Sequence, residues 1–166
     1  MIIAIYGVAC VGKTTVATGL GERLGCPVRH CGEAVKRHCQ VVGVSPDLLS
    51  ENDHATIDSE TKAAVMGAQE DFIVEGSFLD AVLAGCSAVK FVRLICSDDQ
   101  RVQRFSSRGG NGVQAFRARN EADGALKLRL YGRNPALASP DFTADTTKGS
   151  PTQVVDVIAE WLKTVE

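Results

Sequence analysis

The apolar run Ile2-Ile3-Ala4-Ile5-Tyr6 leads without a break into Gly7-Val8-Ala9-Cys10-Val11-Gly12-Lys13-Thr14, and residues 13 to 24 then carry a helical pattern. Strand, glycine loop and helix in this order leave the chain little choice of local geometry. The loop must wrap tightly, its backbone N–H groups converge, and the helix turns its positive end toward whatever fills the wrap. Such a cradle suits a polyphosphate. Gly7 and Gly12 leave open the space that a side chain would block. The spacing assigns Lys13 to the β- and γ-phosphates of a nucleoside triphosphate, Thr14 to Mg²⁺ and Thr15 to the α-phosphate, with Cys10 and Val11 lining the loop. The expected ligands are ATP and Mg²⁺.

A chain of 166 residues that is 45% apolar can bury the core of one folding unit spanning 1–166. The formal charge of −2 offers no general attraction to nucleic acid or to anionic membranes, so small-molecule partners are expected. The chain is expected to act as a monomer. No apolar stretch approaches a membrane span, and the first residues run into the loop without a charged leader, which points to the cytosol. The six cysteines, at positions 10, 26, 31, 39, 86 and 96, show no close paired spacing. Reduced thiols are expected rather than a disulfide framework. His30-Cys31 and His38-Cys39 repeat a dipeptide without the C-x-x-C or H-x-x-x-H intervals of a zinc site.

Gly19, Gly21 and Gly25 lie inside and at the end of the first helix rather than before it, which rules out a dinucleotide-binding fingerprint. Residues 33 to 43 and 57 to 69 read as helices separated by the turn-rich stretches 45–47 and 50–53. Together they form an acceptor flap over about 30–70. Phe72-Ile73-Val74 and the run 89–95 read as buried parallel strands, whose carboxyl ends are where sites belong. A Ser- and Gly-rich segment, 106–112, precedes a charged helical stretch ending near Tyr131-Gly132, a hinged cover over about 106–133. Residues 141 to 147 supply a last edge strand, and Ser150-Pro151 caps a closing helix with apolar positions at Val154, Val155, Ile158 and Leu162. The alternation of strand and helix gives an α/β three-layer domain.

The loop at 7–15, the strand ending Phe72-Ile73-Val74-Glu75-Gly76, and the run from Arg117-x-Arg119-Asn120-Glu121 through Tyr131-Gly132 together resemble the small nucleoside monophosphate kinases, archaeal-type cytidylate kinases above all. The ending Asp145-Thr146-Thr147-x-x-Ser150-Pro151 is also similar to that group, so the resemblance extends over most of the chain. It implies a P-loop fold with a parallel sheet of roughly five strands, an acceptor flap and an arginine-bearing lid. In Gly32-Glu33-Ala34-Val35-Lys36, lysine stands where the family holds the acceptor phosphate with arginine, and Arg37 is beside it. Only a guanidinium offers phosphate a planar fork, so this contact differs. Ser77 follows Glu75-Gly76 where the cytidylate pattern places arginine, and Leu126 takes the place of a lid arginine, with Lys127 and Arg129 nearby as substitutes.

On this resemblance Arg104 stacks on the donor adenine and Arg108 faces the phosphates, or both lie on a solvated helix face. Arg117 and Arg119 either clasp the transferred phosphoryl group or pair with Glu121 and Asp123. Glu75 ends a buried strand, where a carboxylate can hold a magnesium-bound water or take the proton of an acceptor hydroxyl. Asp58 is a candidate for hydrogen bonding the acceptor, or serves as a cap or surface group. Cys10, at a helix N-terminus, is either a reactive thiol or a small apolar filler beneath the loop. Three functions fit these residues. The first is ATP- and Mg²⁺-dependent phosphoryl transfer to a nucleoside monophosphate of the CMP or dCMP type. The second is transfer to a non-nucleotide hydroxyl, and the third is a nucleotide-sensing regulatory module.

Overall fold

The computed structural model describes residues 1–132 and 137–165. β1 (Ile2–Tyr6) lies in the middle of a five-stranded sheet, flanked by β3 (Phe72–Gly76) and β4 (Val89–Ile95). β2 (Val28–His30) and β5 (Phe142–Asp145) form the two edges, and every neighbouring pair is parallel. The resulting order β2-β3-β1-β4-β5 reverses direction at β1. In open sheets of this kind the crevice beyond the strands' carboxyl ends at the reversal is where ligands bind.

All five residues of β1 are buried, because helices cover both of its faces. Ile3 and Ile5 point toward α1 (Lys13–Leu24) and α7 (Pro151–Leu162), packing with Leu20, Val155 and Ile158. Ile2, Ala4 and Tyr6 point the other way, into a second cluster with Val65 of α3 (Glu51–Met66) and with Leu79 of the short α4 (Leu79–Val82). A smaller apolar group joins α3 to α2 (Cys31–Val42) through Ala34, Cys39 and Ile57. α1 lies close against β2 because Gly21 faces it: a Cβ there would come within 2.5 Å of Val28 Cγ2. At the far edge Trp161 stacks on Phe142, ring centroids 4.9 Å apart.

α5 (Asp98–Ser107) and α6 (Gly112–Tyr131) form a hairpin after β4, with Phe105 and Phe116 in contact at 5.8 Å between centroids. The α/β three-layer architecture matches the expectation, and several boundaries are corrected. α3 begins at Glu51 rather than 57 because the polar stretch read as a turn is a capping box. Ser50 accepts from the Asp53 amide while Asp53 accepts from that of Ser50. The helix also stops at Met66, short of 69. α2 spans 31 to 42 instead of 33 to 43, and the last strand is only four residues long. α5 runs to Ser107 and α6 starts at Gly112, so three of the seven residues read as a Ser/Gly hinge are helical and 108–111 alone join the helices, while Arg133 at the end of the expected cover lies outside the described residues. No helix among the described residues is long and apolar enough to cross a membrane.

Candidate active site

The loop between β1 and α1 is built to present amides. Gly7 has φ +150, and a Cβ there would sit 2.5 Å from the Leu94 carbonyl oxygen, so only glycine fits. Six consecutive carbonyls, from Gly7 to Gly12, are each taken by a protein donor. Lys13 Nζ donates to Gly7 O at 2.9 Å and to Val8 O at 3.0 Å. Arg101 Nε donates to Ala9 O at 2.9 Å. Arg104 reaches Cys10 O at 3.4 Å and Val11 O at 3.2 Å, while the Thr146 hydroxyl donates to Val11 O at 2.8 Å. The Val16 amide takes Gly12 O at 3.0 Å. Among the described residues the N–H groups of Val8 through Thr15 meet no backbone acceptor. A backbone polar group enclosed without a partner is costly, so eight adjacent donors beside a helix N-terminus make a strong anion cradle.

Beside the cradle the Thr14 hydroxyl lies 3.4 Å from Glu75 Oε1, and His30 Nδ1 lies 3.1 Å from the same oxygen. Glu75 is buried at the end of β3, opposite Ile5 in the sheet register. A hydroxyl and a carboxylate converging at the mouth of an anion cradle are the hard-oxygen donors that Mg²⁺ favours, so Thr14 and Glu75 fit a phosphate-bound Mg²⁺. Burial pulls the Lys13 ammonium below the ordinary lysine range, and the negative charges of Glu75 and Asp123 partly restore it. Burial likewise raises the Asp123 carboxyl, with Arg119, Lys13 and Arg101 opposing that shift.

A cavity of about 610 Å³ opens between the loop, the residues after β3 and the α5–α6 hairpin. Its walls include Ser77, Phe78, Arg101, Arg117, Asp123 and Lys127. Lys127 is ion-paired with buried Asp80 at 2.7 Å. The far end of α6 is tied to α3, where Tyr131 donates to Asp58 at 2.7 Å and Arg129 pairs with Glu51 at 3.6 Å. Burial pushes the Asp58 carboxyl up, against the Tyr131 hydrogen bond that lowers it.

The residues singled out in the sequence are therefore divided among several places. Gly7, Cys10, Val11, Gly12, Lys13, Thr14 and Thr15 form the loop and first turn, with Glu75 and Gly76 adjoining at β3. Cys10 is partly exposed at φ +65. Ser77 and Arg117 line the cavity. Arg119 is exposed on α6, and Arg108 is exposed at the end of α5, outside the cavity lining. The N–H edges of Arg104 are spent on the loop and on Thr146, where its Nη2 donates to the carbonyl at 2.6 Å. Gly32 and Lys36 are exposed on α2, while Arg37 turns to a separate cavity of about 580 Å³ along β2, shared with Arg29 and Glu33. Lys36 and Arg37 thus do not converge on one phosphate. Sequence reasoning did not identify Arg101, Asp80 or Thr146. The two arginines three positions apart in the helix after β4, Arg101 and Arg104, were the one available signal for Arg101.

Residues 3–126 match the model of a family described as an AAA domain. The chain is 34% identical over 123 residues to a cytidylate kinase of Methanothermobacter thermautotrophicus, spanning 70% of this chain and 74% of that one. It is 27% identical over 179 aligned positions to a cytidylate kinase of Methanobrevibacter smithii, covering 99% and 100% of the two chains. The fold is similar to that of a shikimate kinase of Aquifex aeolicus, with TM-score 0.59, 19% identity and coverage of 99% and 97%. With a loop that cradles anions by main-chain amides and relatives that transfer phosphoryl groups, the chain belongs to the AAA-domain family of P-loop kinases, alongside the archaeal cytidylate kinases, and is a phosphotransferase.

Proposed function

We propose that this enzyme transfers the γ-phosphoryl group of ATP, in the presence of Mg²⁺, to a nucleoside monophosphate of the CMP or dCMP type. The observation that carries the donor half is the set of amides from Val8 to Thr15, freed by the complete capture of the loop's carbonyls. The acceptor half rests on the sequence likeness to cytidylate kinases. In this reading the loop amides and Lys13 hold the β- and γ-phosphates, and the adenine stacks on the Arg104 guanidinium. Thr14 and, through water, Glu75 hold the cation, which when bound screens the phosphate charge. The α5–α6 hairpin is the lid. Arg117, on the cavity wall, and Arg119 stabilise the charge that develops on the transferred group, with Arg108 joining when the lid closes. Phosphoryl transfer asks little covalent work of a protein, so alignment and exclusion of water carry the rate. The acceptor enters between α2–α3 and the cavity, near Asp58, Gly76 and Ser77.

A coupled assay of ADP release over a panel of nucleoside monophosphates tests the proposal. CMP or dCMP should raise turnover well above ATP hydrolysis, and Lys13→Ala should remove about a hundredfold or more of that rate with the fold intact. No stimulation by any monophosphate would dismiss the acceptor.

A second reading, transfer to a non-nucleotide hydroxyl, is favoured by Ser77 in the cavity wall and by Arg37 facing a different cavity, which leave the acceptor side poor in arginine. Glu75 would then act as the base. The acceptor panel separates the two: turnover above ATP hydrolysis with a non-nucleotide hydroxyl compound, and none with CMP or dCMP, would establish this second reading, because only a hydroxyl acceptor has a proton for Glu75 to remove.

A further inference from the structure

We propose that Arg101 is the positioning residue that sets the donor loop for phosphate and couples it to α6. The inference rests on the donor-site reading above. Arg101 is only 8% exposed, and each edge of its guanidinium serves a different element. Nε donates to Ala9 O in the loop at 2.9 Å. Nη1 donates to Asp98 Oδ1 at 2.7 Å, one turn back on its own helix. Nη2 donates to Asn120 Oδ1 of α6 at 2.5 Å. The guanidinium Cζ lies over the ring of Phe116, also on α6, 4.9 Å from the ring centre.

The effect on the loop follows from the planar trans peptide. In such a unit the carbonyl and the next N–H point in opposite directions. Holding Ala9 O toward α5 therefore turns the Cys10 N–H away from α5, into the hollow of the loop. Cys10 has φ +65, a conformation that a residue with a side chain adopts reluctantly, so this peptide needs an outside restraint to stay put. Arg104, one turn further along the same helix, does the same for the next two carbonyls. Arg101 differs in being attached to α6 as well. A shift of the loop when it closes on phosphate moves the guanidinium, and the guanidinium carries Asn120 and Phe116 with it. Lysine cannot replace this arrangement, because a single ammonium lacks the planar fork that reaches loop and helix together.

The test combines equilibrium binding of a non-hydrolysable ATP analogue with steady-state kinetics. Arg101→Met should weaken the analogue's Kd about tenfold or more, the scale of a lost charged hydrogen bond, while the acceptor KM changes little. Asn120→Ala keeps the bond to Ala9 and cuts the link to α6. It should hold the Kd within twofold of the parent and lower kcat at saturating substrates. Arg101→Lys, which retains the buried charge, should fold even if the methionine variant does not, and should still weaken the analogue. Folded Arg101 variants that bind the analogue as tightly as the parent, when Lys13→Ala does not bind it, would overturn the positioning role and leave the donor site standing. An Asn120→Ala variant matching the parent in kcat would overturn the coupling. Failure of the parent protein itself to bind the analogue would instead remove the donor-site reading.

Discussion

The Lys13 ammonium is held by two neutral carbonyls, Gly7 O and Val8 O, at the point where a triphosphate would bring full negative charges. Charged acceptors outcompete neutral ones, so the side chain is poised to exchange partners. Because burial holds its ionisation below the ordinary value of 10.5, part of the free protein carries an uncharged Lys13 at alkaline pH. Bound phosphate favours the charged form and raises that value again. Donor binding should therefore take up protons at alkaline pH, above the depressed value, where free Lys13 is partly uncharged and bound Lys13 is charged. Calorimetry in two buffers of different ionisation enthalpy measures this uptake. A binding enthalpy independent of buffer at alkaline pH would show that Lys13 is fully charged in the free protein.

Among the elements, α6 is tied to α5 through Arg101 and Asn120 and to α3 through Tyr131 and Asp58. The second tie has a predictable dependence on pH. Asp58 has its folded ionisation raised by burial, so its carboxylate opposes folding above that raised value and ceases to do so below the ordinary 3.8. Tyr131→Phe removes the hydroxyl that eases the charge. It should cost about 1–2 kcal/mol of stability at neutral pH, and the cost should shrink as pH falls through the raised value of Asp58 toward 3.8. Urea denaturation at several pH values checks it, and a loss independent of pH would mean that Asp58 is not the group affected. The same element shows where sequence reading stops. The Lys127–Asp80 and Tyr131–Asp58 pairs join positions 47 and 73 residues apart, and no local spacing announces such partners. The strand-loop-helix at 2–24 was legible because its periodicity and its glycines are local. β2 was missed because it has three residues, of which one is strongly apolar. Ser50 to Asp53 read as a turn because the residues that form turns are the ones that cap helices.

At the scale of the molecule, α1 and α7 lie side by side against one face of the sheet, so the helix that carries Lys13 shares its core with the chain's last helix. Ile158, fully buried between them, should cost about 2–5 kcal/mol when cut to alanine. Urea unfolding should remain a single transition with an unchanged slope, because the two large apolar clusters share the strands of one sheet. A second transition would show that the β5–α7 edge unfolds separately. The alternation of buried runs made the layered architecture legible, whereas the division of the expected acceptor residues between two cavities depends on which flank of α2 faces which space. Trp161 is the only tryptophan in the chain, and it stacks on Phe142 at the β5–α7 edge. Intrinsic indole emission from this enzyme will consequently follow melting of that edge and stay nearly blind to movements of the α5–α6 hairpin, so a spectroscopic view of substrate capture needs a second chromophore placed on α6.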